Sequence, residues 1–280
     1  MSWQVYPLAF RLLSPLHIGY RKVGNLQQTR GYVTGRALWA AVTSRVTRDA
    51  LPAASGADYQ RIGQKVNQQF RFTYLFPALN ADGPAHHPWA DEATFAYRFL
   101  DSYASTALDY GQQSAAEGLL HEVEFISPRA RPLDGEAPSQ VFLLGRLYVR
   151  DELDDELAGW QTALARLQLG GERGYGWGRL ALAAALATPE QMELPAPLVQ
   201  VQRGQPITAH ALAAHAADRR AVSDVRGPVE PLVGWERNNR GAGGNWRLSE
   251  ALICYAPGSI VAADATFAIG PDGVWHAAAA

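Results

Sequence analysis

The sequence predicts an α+β protein, and three observations carry that reading. The N-terminal stretch SWQVYPLAFRLLS partly alternates apolar and polar positions, as a half-buried strand does. The segment RALWAAVTSRVTRDA (36–50) spaces its apolar residues for a helix, with Leu38, Ala41, Val42 and Val46 on one face and Arg45 and Arg48 off it. Further apolar, strand-like runs recur along the chain, with one more helical stretch from Asp154 to Leu167.

The elements follow in order from their breakers. After the first strand, LSPLHIGYRKVGNLQQTRGYVTGRALWAAV (13–42) reads as a strand turning through a basic, glycine-punctuated loop into a helix that starts near Arg36. LPAASGADYQRIGQKVNQQF resembles an insertion, and RFTYLFPAL (71–79) a strand. NADGPAHHPWADE is rich in turn formers and belongs on the surface. TFAYRFLDSYA and HEVEFISPRARPL read as strands around the polar segment 105–118, and QVFLLGRLYVR (140–150) as another. The helix at 154–167 enters LGGERGYGWGRL (169–180), and a strand, RLALAAAL, leaves it. This gives an N-terminal domain over 1–187, a linker over 188–200 and a smaller C-terminal part over 201–280. Strands are expected there near 198–203, 250–256 and 259–268.

Composition narrows the classes. Among 280 residues, 48% are hydrophobic and 19% charged, which is the make-up of a folded chain and not of a disordered one. The net charge is −2, so the molecule is no polycation; its charge is local. Seven basic residues (Arg11, Arg21, Lys22, Arg30, Arg36, Arg45, Arg48) precede the first acid, Asp49, as a phosphate-binding face requires. Lys22 and Lys65 are the only lysines among 25 basic residues. Arginine forks suit phosphate and stack on bases, although GC-rich coding produces the same bias. Acids gather in RDELDDEL (150–157), a solvated helix start or a subunit contact. The single cysteine, Cys254, lies in an apolar run, which excludes an internal disulfide and a C-x-x-C site and places the thiol in a buried strand. The N-terminus lacks the pattern of a signal peptide, and no apolar run reaches the ~18 residues of a membrane span. A cytoplasmic protein with no membrane contact is therefore expected.

The glycine loop is the chemical centre of the chain. Gly170, Gly171, Gly174, Gly176 and Gly178 give its backbone access to positive φ and to close approach. Arg173 and Arg179 add charge, and Tyr175 and Trp177 add flat faces for stacking bases. It is no dinucleotide fingerprint: the spacing is G-x-G-x-G and the helix precedes the loop. Packing alone remains the alternative reading of these glycines.

Taken together, S-P-L-H-I-G, Y-V-T-G-R-A-L-W-A-A-V and G-G-E-R-G-Y-G-W-G-R-L resemble the motifs of the RAMP superfamily of CRISPR-associated proteins. The resemblance spans roughly 5–186, with a weaker echo in GWERNNR and APGSIV. It implies a ferredoxin-like (RRM-like) fold, with two such halves and inserted loops. It also implies a non-catalytic subunit of a type III effector complex that holds the 5′ repeat-derived tag of the guide RNA. The partners it implies are guide RNA, other CRISPR-associated proteins and, indirectly, target nucleic acid; it implies no cofactor and no metal. Carried onto this sequence, the RNA-binding residues are His17, Arg21, Lys22, Arg30, Tyr32, Arg36, Gly170, Gly171, Arg173, Gly174, Tyr175, Gly176, Trp177, Gly178 and Arg179.

Two nuclease readings stand beside it. His17 with Lys22 or Arg30 would supply the acid–base group and the cation for 2′-OH attack on a phosphate, as in repeat-processing relatives. Target-cleaving relatives carry an aspartate between H-I-G and Y-x-x-G, where this chain has KVGNLQQTR. Asp101 and Asp109 are loose candidates that also suit turns. A scaffold subunit of the same complex is the third reading. His86–His87 and His210/His215 lack the spacing of a helical metal pair. Trp235, Trp246 and the GAGG turn (241–244) suit either an exposed stacking loop or the core.

Overall fold

A computed structural model describes residues 2–184, 186, 189–192, 197–201, 213–217, 225–237 and 246–278. β1 (Trp3–Leu12) is its spine. The period-two pattern holds: Tyr6, Leu8, Phe10 and Leu12 enter one core, while Trp3 and Val5 enter another on the opposite face. The basic loop after it is a hairpin, β2 (Gly19–Val23) and β3 (Leu26–Thr29), turned at Gly24 with φ 58°. A Gly-Asn pair at a two-residue turn is the signal for it.

α1 (Gly35–Ala50) starts where the sequence places it, and Leu38, Ala41, Val42 and Val46 are all buried. The Thr34 side chain caps it by accepting from the Ala37 N–H. The stretch read as an insertion is instead a second helix, α2 (Gly56–Gln69), started by a reciprocal Ser55–Asp58 capping box. Its buried face holds only Ile62, Gly63 and Val66, so the segment is mostly polar and its few apolar residues are easily read as part of a loop. Arg61 and Lys65 on α2 pair with the acidic run, with Lys65 Nζ 2.7 Å from Asp154 and both cations on Glu156.

The strand expected over 71–79 is broken into β4 (Phe70–Phe72) and β5 (Phe76–Ala78). Three residues on that side face two on its partner, and the bulge lets Leu75 pair with Val33. Only the second half of TFAYRFLDSYA is a strand. Asp91 accepts from the Thr94 N–H and starts α3 (Glu92–Phe99), which buries Phe95, Arg98 and Phe99; β6 (Leu100–Ser105) follows. Two short strands, β7 (Leu108–Asp109) and β8 (Ser114–Ala115), form a hairpin within the polar segment. Then come β9 (His121–Ile126), the short pair β10 (Arg129–Ala130) and β11 (Ser139–Gln140), and the long β12 (Phe142–Arg150). The helix expected over 154–167 is a 3₁₀ turn at Asp155–Leu157 and a short α4 (Trp160–Leu164), with Gly159 between them. β13 (Leu180–Leu182) leaves the glycine loop, and β14 (Glu190–Met192), inside the stretch assigned to a linker, pairs with Trp3–Val5 of β1.

Four segments define the main sheet. β1, β4/β5, β12 and β13 lie in the order β13–β1–β12–β4/β5, and all neighbours are antiparallel. With α1 and α2 after the first strand and α4 after the third, this is the βαββαβ ferredoxin-like unit, strand order 4-1-3-2. β2, β3, β9 and β6 make a second sheet beside it.

The C-terminal part contributes β15 (Leu198–Val201), β16 (Val225–Arg226), β17 (Val229–Leu232), β18 (Trp235–Arg237), β19 (Trp246–Leu248), β20 (Leu252–Tyr255), β21 (Ile260–Val261), β22 (Ala265–Ile269) and β23 (Trp275–Ala277). β15, β22 and β23 form one sheet; β16–β21, β17–β20 and β18–β19 are pairs. Phe267, Ile269 and Trp275 share a core with Trp3, Tyr74 and Tyr148, so this part covers the face of the main sheet opposite the helices. Cys254 is buried in β20, as the sequence reading expects, and burial pushes its thiol up to about 11, away from a reactive thiolate. His210 and the GAGG turn lie outside the described residues, as do the side chains of Trp235 and Trp246 and parts of the linker.

Candidate functional site

The glycine loop closes onto the segment between β1 and β2. The Gly171 N–H donates to the His17 carbonyl at 2.9 Å and the Gly178 N–H to the Pro15 carbonyl at 2.7 Å. Leu13 N–H reaches the Arg179 carbonyl, and Arg179 N–H reaches Ser14 Oγ. A Cβ at Gly170 would stand 2.2 Å from the His17 carbonyl oxygen, and one at Gly178 would stand 1.8 Å from that of Leu169. Both residues have positive φ, so no L side chain fits at either. Gly171 lies against the His17 ring, 3.0 Å from its Cδ2 to the position of a Cβ.

The tip is different. Gly174 and Gly176 have open space where a Cβ would be, and Tyr175 is 83% exposed between them. Arg173 and Arg179 are exposed as well. Trp177 is half-buried, edge-on to Phe125 of β9 at 5.0 Å between ring centres. The amides of Gly171, Tyr175, Gly176, Trp177 and Gly178 all donate to carbonyls within the protein. Those five amides are therefore satisfied inside the protein, and Arg173, Tyr175 and Arg179 are the exposed side chains that the loop offers.

His17 is at the centre of this junction and only 7% exposed. Its Nδ1 lies 2.7 Å from the Glu124 carbonyl, which can only accept, so Nδ1 carries the proton and Nε2 is the remaining nitrogen. Glu124 also accepts from the Thr29 N–H through its carboxylate, and Thr29 Oγ1 accepts from the Ile18 N–H. His17, β3 and β9 are thereby locked together.

The basic residues divide into two groups. Arg21 and Lys22 lie on the fully exposed β2, where Arg21 donates to Gln28 and covers the ring of Tyr20 at 5.2 Å. Arg30 and Tyr32 depart from the expectation of an RNA-facing pair and turn into the protein. Arg30 Nη1 donates to Glu230 at 2.7 Å and to the Tyr32 hydroxyl at 3.0 Å. Tyr32 is 8% exposed and stacks on Tyr74. Glu230 in turn accepts from His215, whose other nitrogen meets the Tyr74 hydroxyl at 2.6 Å. Burial pushes the Glu230 carboxyl up, but the His215 hydrogen bond and the Arg30 charge outweigh it and hold it at about 2. Burial pushes His215 down and the Tyr32 phenol up to about 12. His215 is thus neutral, donating to Glu230 and accepting from Tyr74. Arg36 lies against Gly234 and donates to Ser249 at 3.3 Å. Arg30 and Arg36 therefore join the N-terminal unit to the C-terminal strands.

The structure brings together His17, the glycine-loop base and Trp177. It leaves Arg173, Tyr175 and Arg179 around them and Arg21 and Lys22 on the neighbouring hairpin. Sequence reasoning missed Phe125, Glu124 and Tyr20, and only Tyr20, next to the basic pair, carried a local signal. Asp101 pairs with Arg131, and Asp109 caps its turn by accepting from the Gly111 N–H. His86 and His87 pack on Phe99 and on Phe76 and Trp89. Among the described residues no group of His, Cys, Asp and Glu could hold a metal, and no helix is long and apolar enough to cross a membrane.

No protein-family model matches the chain, and no curated protein does. Among solved structures, the chain is similar to one in the cryo-EM structure of the Type III-B Cmr-beta bound to cognate target RNA and AMPPnP. The identity is 10% and the TM-score 0.47, over 93% of this chain and 86% of that one. A second similarity, to a chain of the Type III-B Cmr-beta bound to cognate target RNA, has 11% identity and a TM-score of 0.42, over 64% and 96%.

Proposed function

We propose that this chain is an RNA-binding protein of the RAMP superfamily that holds the 5′ repeat-derived tag of a guide RNA in a type III CRISPR effector complex, without cutting it. One observation carries the reading: the glycine loop is pinned by its base to the His17 segment of a 4-1-3-2 ferredoxin-like sheet, and its tip offers arginines and a bare tyrosine. Arg173, Arg179, Arg21 and Lys22 hold phosphates, and Tyr175 and the open side of Trp177 stack on splayed bases. His17 acts by fixing the loop: its ring is enclosed and its Nδ1–H is committed to a carbonyl. Neighbouring subunits bind through exposed edges of the same molecule.

The test uses end-labelled repeat RNA in EDTA, with wild type and His17→Ala side by side. Intact RNA retained by the wild type, more weakly as salt rises, supports the holding role. A discrete cut made by the wild type and lost in His17→Ala overturns it in favour of a metal-independent endoribonuclease. Complex assembly and RNA retention that survive removal of Arg21, Lys22 and Arg173 charge together would instead make it a scaffold.

A further inference from the structure

A cleft of about 500 Å³ opens between the β2–β3 hairpin, α3 and the start of β17. It falls within the size range of small-ligand sites, ~300–1,000 Å³. Its apolar lining includes Tyr20, Trp89 and Phe95; its polar lining includes Arg21, Gln28 and Glu92. Both halves of the molecule set its shape. Gly31 lets Phe95 approach so closely that a Cβ would stand 2.6 Å from the ring, and Gly258, at φ 89°, lies equally close against Trp89. The Tyr20 ring is 46% exposed, and the Arg30 and Arg21 guanidiniums lie 4.7 and 5.2 Å from its centre. Arg30 is fixed there by its bond to Glu230.

The charges argue against a phosphate in this cleft. Glu92, Glu124 and Glu230 line it against only Arg21 and Arg30, and Arg30 is already paired. A neutral, flat group with hydrogen-bond donors at its edge suits it better. Glu92, exposed in the first turn of α3, offers acceptors; Gln28 accepts from Arg21 through its Oε1 and so has its amide N–H groups to donate. Carboxylates accept from exocyclic amino groups of bases.

We propose that this cleft receives one nucleobase bearing an exocyclic amino group, set against the part of Tyr20 that Arg21 and Arg30 leave exposed and read by Glu92 and Gln28, while Lys22 on the rim of β2 holds a flanking phosphate. The inference rests on the RNA-binding reading above and adds a base-selective subsite to it.

The full-length chain is titrated with end-labelled oligoadenylate, oligocytidylate and oligouridylate dodecamers, as wild type, Glu92→Gln and Tyr20→Ala. Both positions are exposed, and circular dichroism checks that each variant is folded. The wild type is expected to hold the adenylate or cytidylate strand about fivefold more tightly than the uridylate strand. Glu92→Gln is expected to bring that ratio close to one, and Tyr20→Ala to weaken the preferred strand about fivefold or more. RNA held with the same ratio by wild type and Glu92→Gln overturns the base-reading cleft and leaves the RNA-binding reading intact. Wild type that retains no strand overturns that reading, and the cleft with it.

Discussion

The base and the tip of the glycine loop share a composition and differ in what surrounds them. At the base, Gly170 and Gly178 lie where neighbouring backbone atoms leave no room for a side chain, and Gly171 lies tight against the His17 ring. At the tip, Gly174 and Gly176 face open space beside Tyr175. A glycine-rich run is thus two devices in sequence. One is a weld between α4, β13 and the His17 segment; the other is a bare platform that the weld holds still. Packing and ligand binding, alternatives for the run as a whole, hold for different residues within it.

The sharpest way to break this contrast is Gly178→Ala. The new Cβ would meet the Leu169 carbonyl at 1.8 Å in a backbone conformation with φ 75°, and both obstacles are backbone. The left-handed conformation alone costs roughly 1–2 kcal/mol for an L residue. With the clash added, a loss of more than ~4 kcal/mol is expected, read as a large drop in denaturant midpoint or as failure to fold. A mild effect would mean that the weld is loose.

The seam between the two halves comes next. Glu230→Ala leaves Arg30 buried without its carboxylate, which costs about 3–5 kcal/mol for pairs of this kind. Its acid response has a definite sign. Glu230 titrates at about 2 in the fold and ordinarily at 4.5, so its contribution is complete above 4.5 and is lost as pH falls towards 2. His215 is held neutral by burial, so protonation in the unfolded chain also draws stability away below 6.5. The melting temperature should fall steadily on acidification from pH 6.5, and Glu230→Gln should flatten the part of that fall below 4.5. Equal acid profiles for both proteins would show that the seam does not control the response.

What the sequence made legible follows from how local each signal was. β1 and α1 announce themselves through side-chain period, and their sequence bounds agree with the structure to within a residue or two. α2 was hidden because three buried residues in fourteen make a thin stripe, although Ser55 and Asp58 spelled its cap. α3 was masked because Phe95, Tyr97, Phe99 and Leu100 also suit a strand, and only Asp91 marked the start. The broken strand at 70–78 depends on Gly145 across the sheet, where a Cβ would strike Leu75 and the Tyr74 carbonyl, a contact seventy residues away in sequence. The same distance explains the site. His17 and the glycine loop could be paired by motif, but nothing near Arg30 foretells Glu230, two hundred residues on, so its inward turn was invisible.

At the tip, effects should move from stability to binding. Tyr175→Ala removes a ring that touches solvent over most of its surface, so folding should be unchanged within ~0.5 kcal/mol. RNA affinity should fall by ~1–3 kcal/mol, the worth of one stacked base. Arg173→Ala should lower the slope of log affinity against log salt by about 0.7 if it holds one phosphate of a single strand. A variant that loses affinity without changing the slope would assign Arg173 to stacking instead.

Gly174→Ala gives the smallest effect and the finest discrimination. Gly174 lies in a 3₁₀ turn, its φ is not positive, and apart from its own turn no atom lies within 4 Å of where its Cβ would be. Alanine should therefore be neutral or stabilising by about 0.4–1 kcal/mol through a less free unfolded chain. Gly178→Ala should then lower the denaturant midpoint sharply, whereas Gly174→Ala, four residues away, should leave it unchanged or raise it. RNA affinity adds a second axis, because the methyl group projects into the space a ligand would use. Unchanged affinity would place the strand away from Gly174, against Tyr175 and the arginines alone. A loss of affinity in a protein no less stable than wild type has a different cause: the RNA backbone comes within contact distance of the Gly174 Cα, and the tip is bare to admit it.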